Sequence, residues 1–237
     1  MTDALAETSL ITGSQFCFRG NLLFLEPSGI LYWPAERLLV VSDLHLEKGS
    51  SFAARQNLFM PPYDTQATLE TLAPKIEMLQ PETVISLGDS FHDRDASARL
   101  PDEYRQQLSR LMQGREWVWI NGNHDPEPPR ELGGIFCQSL QVGNLNFIHE
   151  PHKQFTQGEI AGHLHPCAKI RRRGKTVRKR CFVSDGERLI MPAFGAFTGG
   201  LNIRNEAYSE LFEDEKLTVW MIGKDAVFEI DGKQCVR

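Results

Sequence analysis

Seven residues able to ligate divalent metals fall into five short segments between positions 43 and 165. They are Asp43 and His45 in Ser-Asp-Leu-His, Asp89 in Gly-Asp-Ser-Phe-His-Asp, Asn123 in Gly-Asn-His-Asp, His149 in Ile-His-Glu-Pro, and His163 and His165 in Gly-His-Leu-His. Carboxylate and amide oxygens mixed with imidazole nitrogens suit Mn²⁺, Fe²⁺ or Zn²⁺. The set needs no thiolate, which argues against a structural zinc site of the cysteine type. Only two of the donors are carboxylates, Asp43 and Asp89, so a pair of divalent ions held here keeps net positive charge. That charge suits an anionic phosphoester and the further charge of its transition state. The chemistry expected is two-metal phosphoester hydrolysis.

Each segment alone has an ordinary explanation. An Asp after a strand is usually a turn or N-cap residue, and Asn-Gly-Asn is a common turn. The joint occurrence in this order carries the inference, and six of the seven histidines lie in or beside the segments. The seventh, His152, is an alternative to His149, and the strand-end position selects His149. His124 follows Asn123, is not needed as a ligand, and is the candidate to protonate a leaving alkoxide. His92, near Asp89, either touches the scissile phosphate or hydrogen-bonds a ligand; the sequence leaves both open.

Strands must bring these residues together. The apolar run Leu38–Val41 ends a strand expected over 37–41, with Asp43 just beyond it. Strands expected over 83–87 and 117–120 lead into Gly88-Asp89 and Asn121-Gly122-Asn123. Spaced apolar residues predict helices over 64–79 and 101–113. This alternation places three of the segments at the carboxyl ends of strands, where ligands gather in open α/β sheets. Asp43 and His45, two apart at a strand end, are expected to point to one side. Pro27-Ser28-Gly29 reads as a hairpin turn. After the proline-rich loop at 126–129 the texture changes to short strands, over 139–142, 145–149, 159–164, 177–183, 188–191, 218–222 and 226–230. A second, mostly antiparallel sheet packed on the first is expected, the whole forming one domain over 1–237.

Residues 169–180 contain eight cations among twelve residues. Gly174 reads as the tip of a hairpin, so Arg171, Arg172, Arg173, Lys175, Arg178, Lys179 and Arg180 would line both strands near the mouth of the site. Such a patch fits a nucleic-acid backbone; the competing reading is an edge hairpin protected by charge. The glycine-rich stretch 192–202 is neither a Walker nor a dinucleotide loop. Phe194 and Phe197 there are able to stack a base, although a packed turn is the simpler reading. Cys167 reads as a small buried apolar residue.

The bulk properties bound these readings. A 237-residue chain with 41% hydrophobic and 24% charged content has an ordinary globular composition, and its net charge of −5 shows no overall basic character. Five dispersed cysteines without Cys-x-x-Cys argue against a disulfide framework and for a reducing compartment. No signal-peptide pattern and no membrane-spanning apolar run is evident, so a cytoplasmic location is expected.

The segments from Ser42 to His165 resemble those of the calcineurin-like binuclear metallophosphoesterase superfamily: Asp-x-His, Gly-Asp, Gly-Asn-His-Asp/Glu, His and Gly-His-x-His in that order. The resemblance implies a four-layer α/β/β/α sandwich of two mixed sheets flanked by helices. It also implies that Asp43, His45 and His165 hold one ion, Asn123, His149 and His163 the other, with Asp89 bridging. In-line hydrolysis by a bridging hydroxide, with His124 assisting the leaving group, follows from the same likeness. Gly-Asp-Ser-Phe-His-Asp-Arg looks more like the DNA-repair nuclease branch than like the phosphatases. Together with Gly-His-Leu-His-Pro and Pro-Ala-Phe-Gly-Ala-Phe-Thr-Gly-Gly-Leu-Asn, it is similar to the bacterial ligase-associated DNA damage response endonucleases. That closer likeness implies Mn²⁺-dependent cleavage of DNA, with single-stranded or repair-intermediate DNA expected as the substrate and a repair ligase and helicase as functional neighbours. The alternatives are a small-molecule phosphodiesterase or phosphatase acting on nucleotides or cyclic nucleotides, and a scaffold that has lost catalysis. The second alternative predicts gaps among the ligands, and none is missing.

Overall fold

The computed structural model describes residues 13–56, 63–127, 130–154 and 156–237. Most of the polar start expected over 1–14 and part of the 126–129 loop lie outside these residues. Seven strands form the first sheet, in the spatial order β1 (Ser14–Phe18), β2 (Asn21–Leu25), β3 (Leu31–Trp33), β4 (Leu38–Val41), β5 (Thr83–Leu87), β6 (Glu116–Ile120) and β7 (Ile135–Cys137). Neighbours from β1 to β4 pair antiparallel and those from β4 to β7 parallel. Gly29 (φ 103°) closes the turn between β2 and β3. The parallel strands β4, β5 and β6 are buried on both faces, which is why they read as largely apolar runs.

One face of this sheet is covered by α2 (Asp64–Leu79), α3 (Ala96–Arg99) and α4 (Asp102–Met112), with α1 (Lys48–Gln56) packed beside α2 and α3. Leu69, Leu72 and Ile76 of α2 and Leu108 of α4 share a cluster with Leu39, Val41, Val84, Trp117 and Trp119. The sequence pattern does not single out α1: Gly49, Ser50 and Ser51 near its start weaken the helical signal.

The second sheet has nine strands: β8 (Ser139–Val142), β9 (Leu145–Ile148), β10 (Glu159–Ala161), β11 (Pro166–Arg172), β12 (Lys175–Ser184), β13 (Arg188–Ile190), β14 (Leu201–Asn202), β15 (Thr218–Ile222) and β16 (Val227–Asp231). Their main path runs β14-β11-β12-β13-β10-β9-β8, with β15 added on β12 and β16 on β15. Five of its eight pairings are antiparallel; β9, β10 and β13 run parallel to one another, as do β11 and β14. The sheets share a core in which Val40, Ile85 and Val118 meet Phe147, Ile160, Phe182, Leu189 and Trp220. The far face of the second sheet is closed by Tyr208, Phe212, Leu217 and Cys235 around α5 (Glu206–Ser209). This outer layer is thin, because α5 is only four residues long and turns supply the rest of the cover.

Carboxyl ends of β4, β5 and β6 lie beside those of β9 and β10. Backbone bonds continue past the strands: Asp43 N donates to Gly88 O (3.2 Å), His45 N to Asp89 O (2.9 Å) and Gly162 N to His149 O (2.9 Å). A buried ion pair, Arg188 Nε to Glu159 Oε1 at 2.6 Å, braces the second sheet just behind this edge.

Candidate metal centre

The structure brings all seven sequence-derived candidates to one place between the sheets. The ligand atoms of Asp43, His45 and His165 lie within 4.8 Å of one another, as do those of Asp89, His149 and His163. Asn123 joins the second group, with its Oδ1 2.9 Å from both His149 Nε2 and His163 Nδ1.

The convergence does not arise from strand alternation. Asp43 and His45 lie beyond β4 with φ of 52° and 44°, and Asp89, His163 and His165 have φ of 46°, 68° and 46°. Five donors thus sit in the left-handed region, which costs a non-glycine residue about 1–3 kcal/mol and clusters at functional sites. The kinks turn side chains inward from three different loops. Two glycines make room: a Cβ on Gly88 would come within 2.3 Å of the His149 ring, and one on Gly162 within 2.0 Å of Ser42 Oγ.

A divalent ion fits the donors that meet here. His149 Nδ1–H donates to Leu87 O at 3.0 Å, which fixes the tautomer and aims the Nε2 lone pair inward. That lone pair faces Asn123 Oδ1, His163 Nδ1 at 3.3 Å and Asp89 Oδ1 at 3.4 Å. Oxygen and nitrogen ligand atoms crowd together here, an arrangement that suits a cation at its centre. Without one, a proton substitutes. Burial pushes the His149 imidazole down, but the Asp89 hydrogen bond and the Asp43 and Asp89 charges outweigh it and bring it up to about 9. In the other group His45 Nε2 and His165 Nε2 are 3.3 Å apart, and His165 Nε2 is 3.1 Å from Asp43 Oδ1. Burial drives His45 down to about 3, leaving it neutral and able to coordinate. Burial also raises the Asp43 and Asp89 carboxyls, yet hydrogen bonds from His165 and His149 and the nearby imidazole charges hold both below the usual carboxylate range.

The non-ligand histidines occupy the same edge. His124 Nδ1–H donates to His92 O at 2.9 Å, leaving Nε2 directed inward, 3.9 Å from Asp89 Oδ2. His92 Nδ1 is 3.4 Å from His45 Nδ1, and its ring stacks between Phe52 and His124 with centroids 5.5 and 5.3 Å away. Burial and the His124 charge bring His92 down to about 4. His152 lies elsewhere: its Nδ1 pairs with Glu159 Oε2 at 2.6 Å. Asp125, which sequence reasoning passed over, is buried under the site and accepts from Phe91 N at 3.0 Å. Burial, reinforced by the Asp89 charge, raises its carboxyl to about 7.

The cationic run forms the β11–β12 hairpin, with Arg172 opposite Lys175 and Cys167 opposite Arg180. Arg171, Arg172, Arg173, Lys175, Arg178 and Lys179 are exposed. Arg180 departs from the expectation of a nucleic-acid contact. Its guanidinium turns inward and donates to Ala193 O at 2.5 Å and Ser28 O at 3.3 Å, because its register places it at the base of the hairpin against the 193–194 backbone. Phe194 is buried in the core, whereas Phe197 is exposed. An open groove of about 440 Å³, lined by Asn123, Gln138, Ser139, His149, Glu150 and His152, leads away from the site.

Residues 36–188 match the model of the family described as calcineurin-like phosphoesterase. No curated protein sequence matches the chain. Among solved structures, the Pseudomonas putida nuclease MPE superposes with a TM-score of 0.72 at 29% identity, covering 92% of this chain and 100% of that one. Yfce, a phosphoesterase from E. coli, gives 0.42 at 14% identity, covering 82% and 98%. A predicted phosphoesterase from Streptococcus pneumoniae gives 0.32 at 13%, covering 81% and 95%. The last two overlap too loosely to bear on the site.

Proposed function

Since the chain belongs to the calcineurin-like phosphoesterases and is a metal-dependent phosphoesterase, we propose that it is an endonuclease cleaving single-stranded or repair-intermediate DNA. Convergence of carboxylate, amide and imidazole ligand atoms from both sheets carries the metal assignment. Asp43, His45 and His165 would hold one ion and Asn123, His149 and His163 the other, with Asp89 within reach of both groups. Manganese is the proposed metal, with Fe²⁺ and Zn²⁺ competing for the same mixed donors. When bound, the pair polarises the phosphodiester and lowers the pKa of water.

His124 gives up a proton to the leaving alkoxide from Nε2, while its Nδ1–H bond to the His92 carbonyl holds the ring in position. His92 acts as a positioning residue: its Nδ1 engages His45 Nδ1 and leaves His45 Nε2 for the ion.

Two observations support DNA. The exposed cations of the β11–β12 hairpin begin a few residues after His165, and the similar P. putida protein is a nuclease. A repair ligase and a helicase are the proposed functional neighbours, on the sequence likeness alone. Labelled single-stranded, duplex and hairpin DNA, assayed with Mn²⁺ beside bis-p-nitrophenyl phosphate and a nucleotide panel, tests the reading. Internal cleavage of DNA that is lost in Asn123→Ala supports it; turnover confined to nucleotides refutes it.

A further inference from the structure

We propose that Phe197 is a stacking platform for a base of the strand bound at the metal centre; this rests on the nuclease reading above. The loop that carries it has both feet on metal-binding segments. Phe194 N donates to Ser42 O at 2.8 Å and Gly195 N to Asp43 O at 3.1 Å, while at the other end Leu201 N donates to His165 O at 2.9 Å. Phe197 stands between these anchors, and Lys48 Nζ donates to its carbonyl at 3.1 Å. Ala196 N donates to Thr68 Oγ1 at 2.9 Å and Thr198 Oγ1 to Gly195 O at 2.8 Å, so the loop is tied down along its length.

The ring itself has no packing role that explains it. Phe197 is 58% exposed, against 4% for Phe194 three residues earlier. Its φ is 57°, a conformation that a bulky residue adopts only at a cost. Space beside neighbouring Gly199 is open. The loop also joins the basic hairpin: Arg178 donates to Gly200 O and Arg180 to Ala193 O. An exposed aromatic ring thus sits on a loop anchored to metal-binding segments at both ends and tied to the basic hairpin. Cations that follow phosphates, with an aromatic face that stacks a base, form the recognition chemistry of single-stranded nucleic acid.

Phe197→Ala and Phe197→Trp impose the same backbone conformation and differ in the ring. On a single-stranded oligonucleotide with Mn²⁺, Phe197→Ala is expected to raise KM about tenfold with little change in kcat. Phe197→Trp restores KM, and Phe197→Leu does not. A 2-aminopurine base next to the cut is quenched on binding to the native protein and not to Phe197→Ala. Phe228→Ala, which removes an exposed ring on β16, serves as the control and changes neither readout. Unchanged KM and quenching in Phe197→Ala, or rescue by leucine equal to that by tryptophan, overturns the role of Phe197 while the nuclease reading stands. If the native protein hydrolyses small diesters but no oligonucleotide, both fall together.

Discussion

At the metal centre, two of the four histidine donors are fixed through the ring nitrogen that faces away from the ligand cluster: Leu87 O holds His149, and His92 holds His45. At the tip of the β11–β12 hairpin, the side chains of Arg171, Arg172, Arg173 and Lys175 have no hydrogen bond or ion pair among the described residues. One region is buried, preorganised and built for two point charges. The other is solvated and adaptable, suited to a long flexible polyanion. The contrast shows why charge alone does not define a site: similar cations at the two ends of one hairpin take opposite parts, Arg172 facing water and Arg180 tying down a loop.

The largest expected effect comes from removing the carboxylate that touches both metal groups. Asp89→Ala should lower phosphodiester hydrolysis by more than about 10³-fold and reduce bound metal, as measured by elemental analysis. His124→Ala should retain its metals and lose about 10²- to 10⁴-fold in kcat; loss of metal, or full activity, refutes the leaving-group role. The hairpin should respond differently. Arg171→Ala, Arg172→Ala and Lys175→Ala combined should flatten the salt dependence of single-strand affinity by about two in log–log slope, measured by fluorescence anisotropy. Arg180→Met should leave that slope alone and destabilise the fold by about 1–3 kcal/mol in denaturant titration, since buried carbonyls lose their donor.

The smallest effect concerns pH. Asp125 has its folded pKa raised to about 7 from the ordinary 3.8, so the protonated carboxyl stabilises the native state. That contribution is complete below the ordinary carboxylate range and is lost as pH climbs from about 4 through 7. In chelator-treated protein, Asp125→Asn should therefore gain in Tm over the native chain as pH rises through this window. A constant gap in Tm across the window would show that Asp125 is ionised throughout.

The elements that position the site were legible where apolar runs are long. Helix α2 and strands β5, β8 and β15 run over the residues the pattern marks, because a side buried against a sheet leaves a period in the sequence. Strand β10 stops at Ala161, short of the expected 164, because the chain kinks at His163 to point its ring inward. Such left-handed turns have no sequence period, so the candidates were visible by type and order, while the means of their convergence was not. Asp125 was missed because a buried Asp and a turn Asp look alike in sequence. Arg180 was misplaced because its role depends on register within the hairpin, which composition does not record.

Asp43, His45, Asp89 and Asn123 extend from the first sheet, and His149, His163 and His165 from the second. Any ions they share therefore rivet the two halves together as well as serving chemistry. Chelation should accordingly weaken cohesion along this seam and hasten proteolysis, and excess metal should reverse both by mass action. Metal supply would then govern how long the molecule survives, and not only how fast it turns over.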